Sequence, residues 1–104
     1  MEHETIYNLL KTINIPVAYD HFDSNKNINP PFMVYRETEA TTFKADDITY
    51  KRLNNFEIEL ITEIKDVALE RQIEDLLTEN IIPYDKTEDI WDDEEKIYHI
   101  FFEI

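Results

Sequence analysis

The chain of 104 residues contains neither cysteine nor glycine. The lack of cysteine excludes disulfide bonds and thiolate zinc sites, and it is compatible with a reducing compartment. The lack of glycine excludes the usual forms of the P-loop, the dinucleotide-binding fingerprint and the nucleophile elbow, because each uses glycine where the backbone turns sharply or approaches a phosphate. These two absences remove several large classes of nucleotide-binding and hydrolytic sites.

Turns in a glycine-free chain are expected to use asparagine and aspartate, which tolerate a positive φ better than most other residues. The candidate turn positions are Asn25, Asn27, Asp46-Asp47, Asn54-Asn55 and Asp92-Asp93. The one serine, Ser24, lies in the first of these turns, where no neighbouring residue indicates an activated nucleophile.

Basic residues are also few: ten lysines and arginines face 24 aspartates and glutamates, which gives a net charge of -14. Nucleic-acid binding needs clustered basic contacts to phosphates, but the basic residues here are scattered apart from Lys51-Arg52. We therefore expect no stable nucleic-acid binding.

Long apolar runs are missing as well, and none approaches the roughly 20 residues that a membrane-spanning helix needs. The first residues are acidic, which differs from the basic start of a signal peptide. We expect an intracellular protein without membrane association. Because 42% of the residues are hydrophobic and 12% aromatic, the chain is too apolar for a disordered acidic tail, and we expect one folded domain over residues 1–104.

Two amphipathic helices are predicted, one over residues 2–13 and one that begins after Asp66, a residue type favoured at helix N-caps. Their apolar stripes consist of Ile6, Leu9, Leu10 and Ile13, and of Leu69, Ile73, Leu76 and Leu77. A similar segment of eight residues, here called the phrase, ends both helices, as Leu9–Pro16 in the first and as Leu76–Pro83 in the second. The Ile-Pro step of the phrase stops a helix and favours extended backbone. Each phrase is therefore predicted to connect a helix to a strand, whether the similarity reflects a repeat, convergent turns or chance.

Alternating apolar residues predict the strands. The predicted strands cover residues 17–22, 32–37, 48–64 with a bend at Asn54-Asn55, 84–91 and 96–104. The predicted loops cover residues 23–31 and 38–47. The resulting order αβββαββ indicates an α+β fold in which two helices pack on one face of a mainly antiparallel sheet.

The last strand carries large apolar groups on both faces, which is typical either of a central strand with a partly covered outer face or of a subunit interface. The candidate interface residues are Ile97, His99, Phe101 and Glu103, together with Trp91. Trp91 also fits the edge of the core, because a large ring with one polar atom suits a half-wet position.

Six acidic residues fall within eight positions, namely Glu88, Asp89, Asp92, Asp93, Glu94 and Glu95. This stretch lacks the glycine and the alternating ligands of an EF-hand loop. We interpret it as a solvated hairpin tip, with an acidic surface facing a partner or a channel lumen, or a metal site, as the alternatives. The histidines His3, His21 and His99 show no metal-ligand spacing. We predict no catalytic residue, no cofactor and no metal site, and hence a protein that is not an enzyme.

Taken together, these patterns resemble a family, the small neck proteins of long-tailed phages and prophages of Gram-positive hosts, of the tail-terminator or tail-completion type. The resemblance covers nearly the whole chain. It rests on the segments 15–22, 30–35, 55–62, 65–66, 82–84 and 95–103. These are scaffold patterns, so the family supplies no catalytic residue to transfer.

The resemblance implies a non-enzymatic virion protein at the head-tail junction. Such a protein forms a ring with itself, with a hexamer as the expected size, ends growth of the tail tube, and meets the major tail protein and the head connector. It would be present in the host cytoplasm during assembly and then in the virion neck. The strong negative charge of the chain suggests a different class of protein, an acidic inhibitor of the DNA-mimic or immunity type, whose carboxylates would bind a basic enzyme.

Overall fold

The computed structural model describes residues 2–23, 27–38, 41–45, 48–53 and 55–104, with the segments 41–45 and 48–53 described by their backbone. Within these residues the chain forms two helices and eight strands. In chain order they are α1 (His3–Lys11), β1 (Val17–Tyr19), β2 (Phe32–Glu37), β3 (Thr41–Ala45), β4 (Ile48–Leu53), β5 (Phe56–Thr62), α2 (Val67–Glu79), β6 (Asp85–Lys86), β7 (Ile90–Asp92) and β8 (Ile97–Glu103).

The main sheet has six strands in the order β1, β2, β5, β8 and β6, with β7 also paired to β8. Strand β1 runs parallel to β2, and the other pairs are antiparallel. The structure therefore confirms the predicted α+β fold with a mainly antiparallel sheet. The predicted strand over residues 84–91 is divided into β6 and β7, which both pair with β8.

Both helices pack on the same face of this sheet and share one apolar core with it. Alternate residues of β2, β5 and β8 point toward the helices, as the period of two in a strand requires. The core consists of Ile6, Leu10, Met33, Tyr35, Phe56, Ile58, Leu60, Leu69, Ile73, Leu77, Ile100 and Phe102. Burying each of the large apolar side chains stabilises the fold by roughly 1.5 to 3 kcal/mol.

The helix ends follow local rules that the sequence already indicated. The Asp66 side chain accepts a hydrogen bond from the Leu69 N–H at 3.0 Å, which confirms this residue as the N-cap of α2. In the two similar phrases the equivalent residues Asn14 and Ile81 have positive φ angles of 66° and 57°. Each phrase therefore ends its helix through a left-handed residue.

Positive φ angles occur at Asn14, Asp20, Ile81 and Lys96 among the described residues. The expectation that asparagine and aspartate would serve this role holds for Asn14 and Asp20 and was wrong for Ile81 and Lys96. Of the candidate turn residues, Asn25, Asp46, Asp47 and Asn54 lie outside the described residues. The turn at Asp92-Asp93 is present, but its left-handed residue is Lys96. The Asp92 side chain accepts hydrogen bonds from the N–H groups of Glu94 and Glu95 at 3.0 and 3.1 Å.

Strands β3 and β4 form a separate two-stranded antiparallel sheet, here called the hairpin arm. The prediction of a loop over 38–47 was wrong for Thr41–Ala45, which forms β3. The predicted strand over 48–64, with its bend at Asn54-Asn55, is extended as β4 and β5, but these two strands belong to different sheets. The chain instead leaves the main sheet after β2 and re-enters it at β5, where Glu37 is the register partner of Phe56. Threonine and phenylalanine favour extended structure, so the sequence of β3 supports the observed strand.

An ion cluster around the buried Glu70 connects α2 with Lys65, which precedes it, and with Lys86 of β6. Glu70 is 1% exposed, and its carboxylate lies 2.7 Å from Lys65 Nζ and 2.8 Å from Lys86 Nζ. Lys65 also contacts Asp89 at 2.8 Å. Burial alone would lower the pKa of both lysines, but hydrogen bonds to Asp89 and Glu70 raise the pKa of Lys65, and those to Glu70 and Glu74 raise that of Lys86.

We expect Ile81→Asn to stabilise the protein by about 0.5 to 1 kcal/mol, because a β-branched residue in the left-handed region is strained and asparagine tolerates it. Ile81 is 89% exposed, so the substitution removes little apolar burial. The measurement is the midpoint of urea unfolding at unchanged slope. The control is Ile64→Asn, at a position that is 78% exposed without a positive φ. An equal or smaller gain at Ile81 than at Ile64 would contradict the strain argument.

We expect Glu70→Gln to destabilise the protein at pH 7 by about 2 kcal/mol, less than the full cost of breaking a buried pair because both lysines are partly exposed. The pKa values of Lys65 and Lys86 are raised in the folded state, so the pairing of the charged lysines contributes its full stabilisation below the ordinary lysine pKa of 10.5. This contribution is lost as the pH rises through the folded-state pKa values of the two lysines. The difference between wild type and Glu70→Gln should therefore shrink above pH 10.5.

Urea unfolding between pH 7 and pH 12 measures this difference, with the exposed Asp75→Asn on the same helix as the control. A difference that stays constant across this range would show that the lysines do not act through Glu70.

Candidate functional site

The second face of the main sheet, here called the outer face, is not covered by α1 or α2. Its residues alternate with the core residues along β2, β5 and β8. They are Phe32, Val34, Arg36, Glu57, Glu59, Ile61, Ile97, His99, Phe101 and Glu103. Val34 and Ile61 are nevertheless buried, at 5% and 3% exposure. Part of the outer face is therefore shielded by the segment between β1 and β2, of which residues 20–23 and 27–31 are described.

A groove of about 410 Å³ lies on the outer face between that segment and the strands. Its floor is apolar and includes Val34, Ile61 and Ile97. The rings of Phe22 and Phe32 meet edge to face at 5.4 Å and form one wall. The remaining lining residues are Asp20, His21, Asp23, Ile28, Arg36, Glu59 and His99. The groove thus joins an apolar floor to a charged end.

Arg36 organises the charged end of the groove. Its guanidinium donates to Glu57 at 2.7 Å, to Glu59 at 3.2 Å and to Asp20 at 3.3 Å. Burial alone would lower the pKa of Arg36, but the hydrogen bonds to Glu57, Glu59 and Asp20 raise it. Hydrogen bonds from His21 and from Arg36 lower the pKa of the Asp20 carboxyl. One cation therefore holds three carboxylates beside an apolar floor.

His99 continues this network across the neighbouring strand. Its Nδ1 lies 2.5 Å from Oε2 of Glu59, and its Nε2 lies 3.8 Å from Oδ2 of Asp92. The side chains of His99 and Glu59 are 22% and 12% exposed. Because Arg36 binds Oε1 of Glu59, the two oxygens of this carboxylate contact different partners. The network has more carboxylates than cations and would attract a basic group.

The structure brings four of the five predicted interface residues together. Ile97, His99, Phe101 and Glu103 share the outer face of β8. Trp91 is the register partner of Tyr98, so it lies on the opposite face, where the two rings are 4.7 Å apart. Trp91 is 45% exposed and lies at the edge of the sheet. An interface role for these residues stays a prediction.

The predicted acidic stretch lies around the turn between β7 and β8. Asp89 contacts Lys65, Asp92 caps the turn, and Asp93 lies 2.8 Å from Lys96. Of the six acidic residues, all except Asp92 are exposed. In the described part of the chain, no three acidic, histidine or cysteine side chains are arranged to hold a metal ion. The stretch is a hairpin tip, and its acidic surface is available to a partner.

Sequence reasoning missed Asp20 and Arg36, which form the centre of the groove. The local signal was the charged residue Arg36, which follows the apolar run Phe32–Tyr35 within strand β2. The outward direction of Glu57 and Glu59 was visible in the alternation of β5. Their meeting with Arg36 depends on strand register, which a single sequence does not reveal.

No protein-family model matches this chain, and comparison with curated proteins finds no match. Within the described residues, neither helix is long and apolar enough to cross a membrane.

We expect Arg36→Met to destabilise the fold by about 1 to 2 kcal/mol, because it leaves partly buried carboxylates without their cation. The matched control is Lys96→Met, which breaks the exposed pair with Asp93 and should change stability by less than about 0.5 kcal/mol. Urea unfolding at pH 7 measures both variants. Equal losses in the two variants would show that the Arg36 network contributes no more than a surface pair.

Proposed function

We propose that this protein is a structural component of a phage or prophage virion, a neck protein of the tail-terminator type that forms a ring at the head-tail junction. The observation that carries the proposal is the outer face of the sheet, where an apolar groove lies beside a charge network without a helix over it. Surfaces of this kind serve contacts between proteins. The resemblance of the sequence to neck proteins suggests that these contacts are made at the head-tail junction.

A ring requires two different surfaces on each subunit, because one patch must bind a different patch on the next copy. The outer face provides one such surface. The hairpin arm provides another, because it forms a sheet of its own next to the main sheet. The chain therefore carries two distinct surfaces suited to head-to-tail contacts. In the proposed role its partners are further copies of itself, the major tail protein and the head connector.

The acidic turn suits a channel that DNA must pass without binding. The net charge is -14, and Glu88, Glu94 and Glu95 are exposed at or just before the turn between β7 and β8. An acidic wall repels phosphates over a Debye length of roughly 8 Å at physiological salt. We therefore propose that this turn faces the lumen of the ring.

The proposed function involves no catalytic step. The groups with shifted pKa values that lie in ion pairs are Asp20, Arg36, Lys65 and Lys86, and each contacts a partner of opposite charge. Such pairs explain the shifts without a reaction.

The second candidate function is an acidic inhibitor that binds a basic enzyme. The observation in its favour is the surplus of carboxylates around the groove, where Asp20, Glu57 and Glu59 surround Arg36. This function predicts a monomer or dimer that captures a cationic nuclease with an affinity that falls steeply with salt. The neck-protein function predicts self-assembly and association with the tail tube instead.

The test is a nonsense mutation in the gene for this protein within the phage genome that encodes it, followed by negative-stain microscopy of the particles. We expect overlong tails or separate heads and tails, because nothing would end tube growth and join the parts. Supplying the wild-type protein from a plasmid should restore normal particles and is the control.

Normal virions from the mutant would reject the neck function. Normal virions combined with salt-sensitive capture of a basic nuclease would favour the inhibitor.

A further inference from the structure

The hairpin arm forms a sheet of its own. Strands β3 and β4 pair from Thr41 with Leu53 to Ala45 with Ile48, and the described backbone pairing of the arm does not join it to the main sheet. A two-stranded hairpin alone is only marginally stable in water. The arm therefore needs a surface to pack against.

The arm also differs in charge from the rest of the protein. It contains Lys44, Lys51 and Arg52, which are three of the ten basic residues, against the acidic pair Asp46 and Asp47. The remainder of the chain has seven basic and 22 acidic residues. The arm is thus a net positive segment in a strongly negative protein, and its natural partner is an acidic surface.

The groove on the outer face has the complementary chemistry. Its charged end holds more carboxylates than cations, and the exposed Asp23 adds a further carboxylate at its rim. Its floor of Val34 and Ile61 can accept apolar groups, and β3 and β4 supply phenylalanine, tyrosine, isoleucine and leucine in their sequences.

The overall shape is more extended than that of a compact domain of the same length. The chain measures 51 × 31 × 24 Å and has a radius of gyration of 15.3 Å. A compact domain of this length would have a radius of about 13 Å. The protein is therefore elongated, as a domain with a projecting arm would be.

We propose that the hairpin arm of one copy lies in the outer-face groove of the next copy. This inference rests on the proposed ring function and names the contact that builds the ring. In this contact the net positive arm meets the carboxylates around Arg36 and covers the apolar floor of the groove. The arm and the groove are different surfaces, so every copy inserts its arm into one neighbour and accepts the arm of another neighbour in its groove. Head-to-tail contacts of this kind can close a ring.

The absence of cysteine allows a direct test by crosslinking. Two single-cysteine variants with different tags, Thr42→Cys in the arm and Asp23→Cys at the groove rim, are mixed and treated with a short bismaleimide. Because each chain carries one thiol, a crosslink can form only between molecules. We expect the mixed dimer to form about tenfold faster than in the control mixture, because docking raises the effective concentration of the thiols.

The control mixture replaces Asp23→Cys with Asp75→Cys, which places the thiol at an exposed position of α2. Equal rates in the two mixtures would overturn the inference.

A charge exchange tests the same contact without crosslinking. Sedimentation velocity should show weaker self-association for Arg52→Glu and recovery when Asp23→Arg is added to the same chain. The control is Arg71→Glu on α2, which changes the net charge equally at an exposed position away from the groove. Equal weakening by Arg52→Glu and Arg71→Glu would contradict an arm contact, and circular dichroism establishes that each variant is folded.

The outcomes separate this inference from the ring function. Oligomers that form without the specific crosslink would overturn the arm contact and leave the neck function standing. A specific crosslink together with normal virions from the nonsense mutant would support the arm contact and reject the neck function. Absence of both self-association and crosslinks would overturn the arm contact.

Discussion

Both helices lie on the same face of the sheet, so β2, β5 and β8 must bury apolar side chains on one side and remain compatible with water on the other. Strand β5 shows how the chain meets this constraint, since Ile58 and Leu60 face the helices while Glu57 and Glu59 face outward. Arg36 then allows these carboxylates to lie close together on a half-shielded surface. The charge network of the outer face thus follows from the packing of both helices on the opposite face of the sheet.

The helices and β2 were predictable because their signals are local. An apolar stripe at helical spacing, an N-cap residue and an uninterrupted apolar run act within a few residues, and the structure places β2 at the residues the sequence predicted. The hairpin arm was not predicted, because the residues of β3 that favour a strand lie within a mostly polar stretch, and because β4 continues the alternation of β5. The left-handed Ile81 was also unexpected, since the helix end, and not the residue's own preference, determines its backbone.

The candidate site was predictable only in part. The period of two grouped His99 with Ile97, Phe101 and Glu103 on one face of β8, and the structure shows that this is the outer face. The centre of the groove arises from residues on β2, β5 and the end of β1, which approach one another through register and through the parallel pairing of β1 with β2. Such contacts depend on the whole sheet, so Asp20 and Arg36 could not be recognised as neighbours beforehand.

The position of the hairpin arm has an evolutionary consequence. Strands β2 and β5 are adjacent where the arm leaves them, with Glu37 opposite Phe56 and the Thr38 N–H bonded to the Asn55 carbonyl at 2.8 Å. The arm therefore connects two strands that are already paired with each other at the point where it leaves them. Surface loops of this type can lengthen, shorten or exchange residues with little effect on folding. Related proteins could therefore change their binding partners through the arm while the scaffold stays the same.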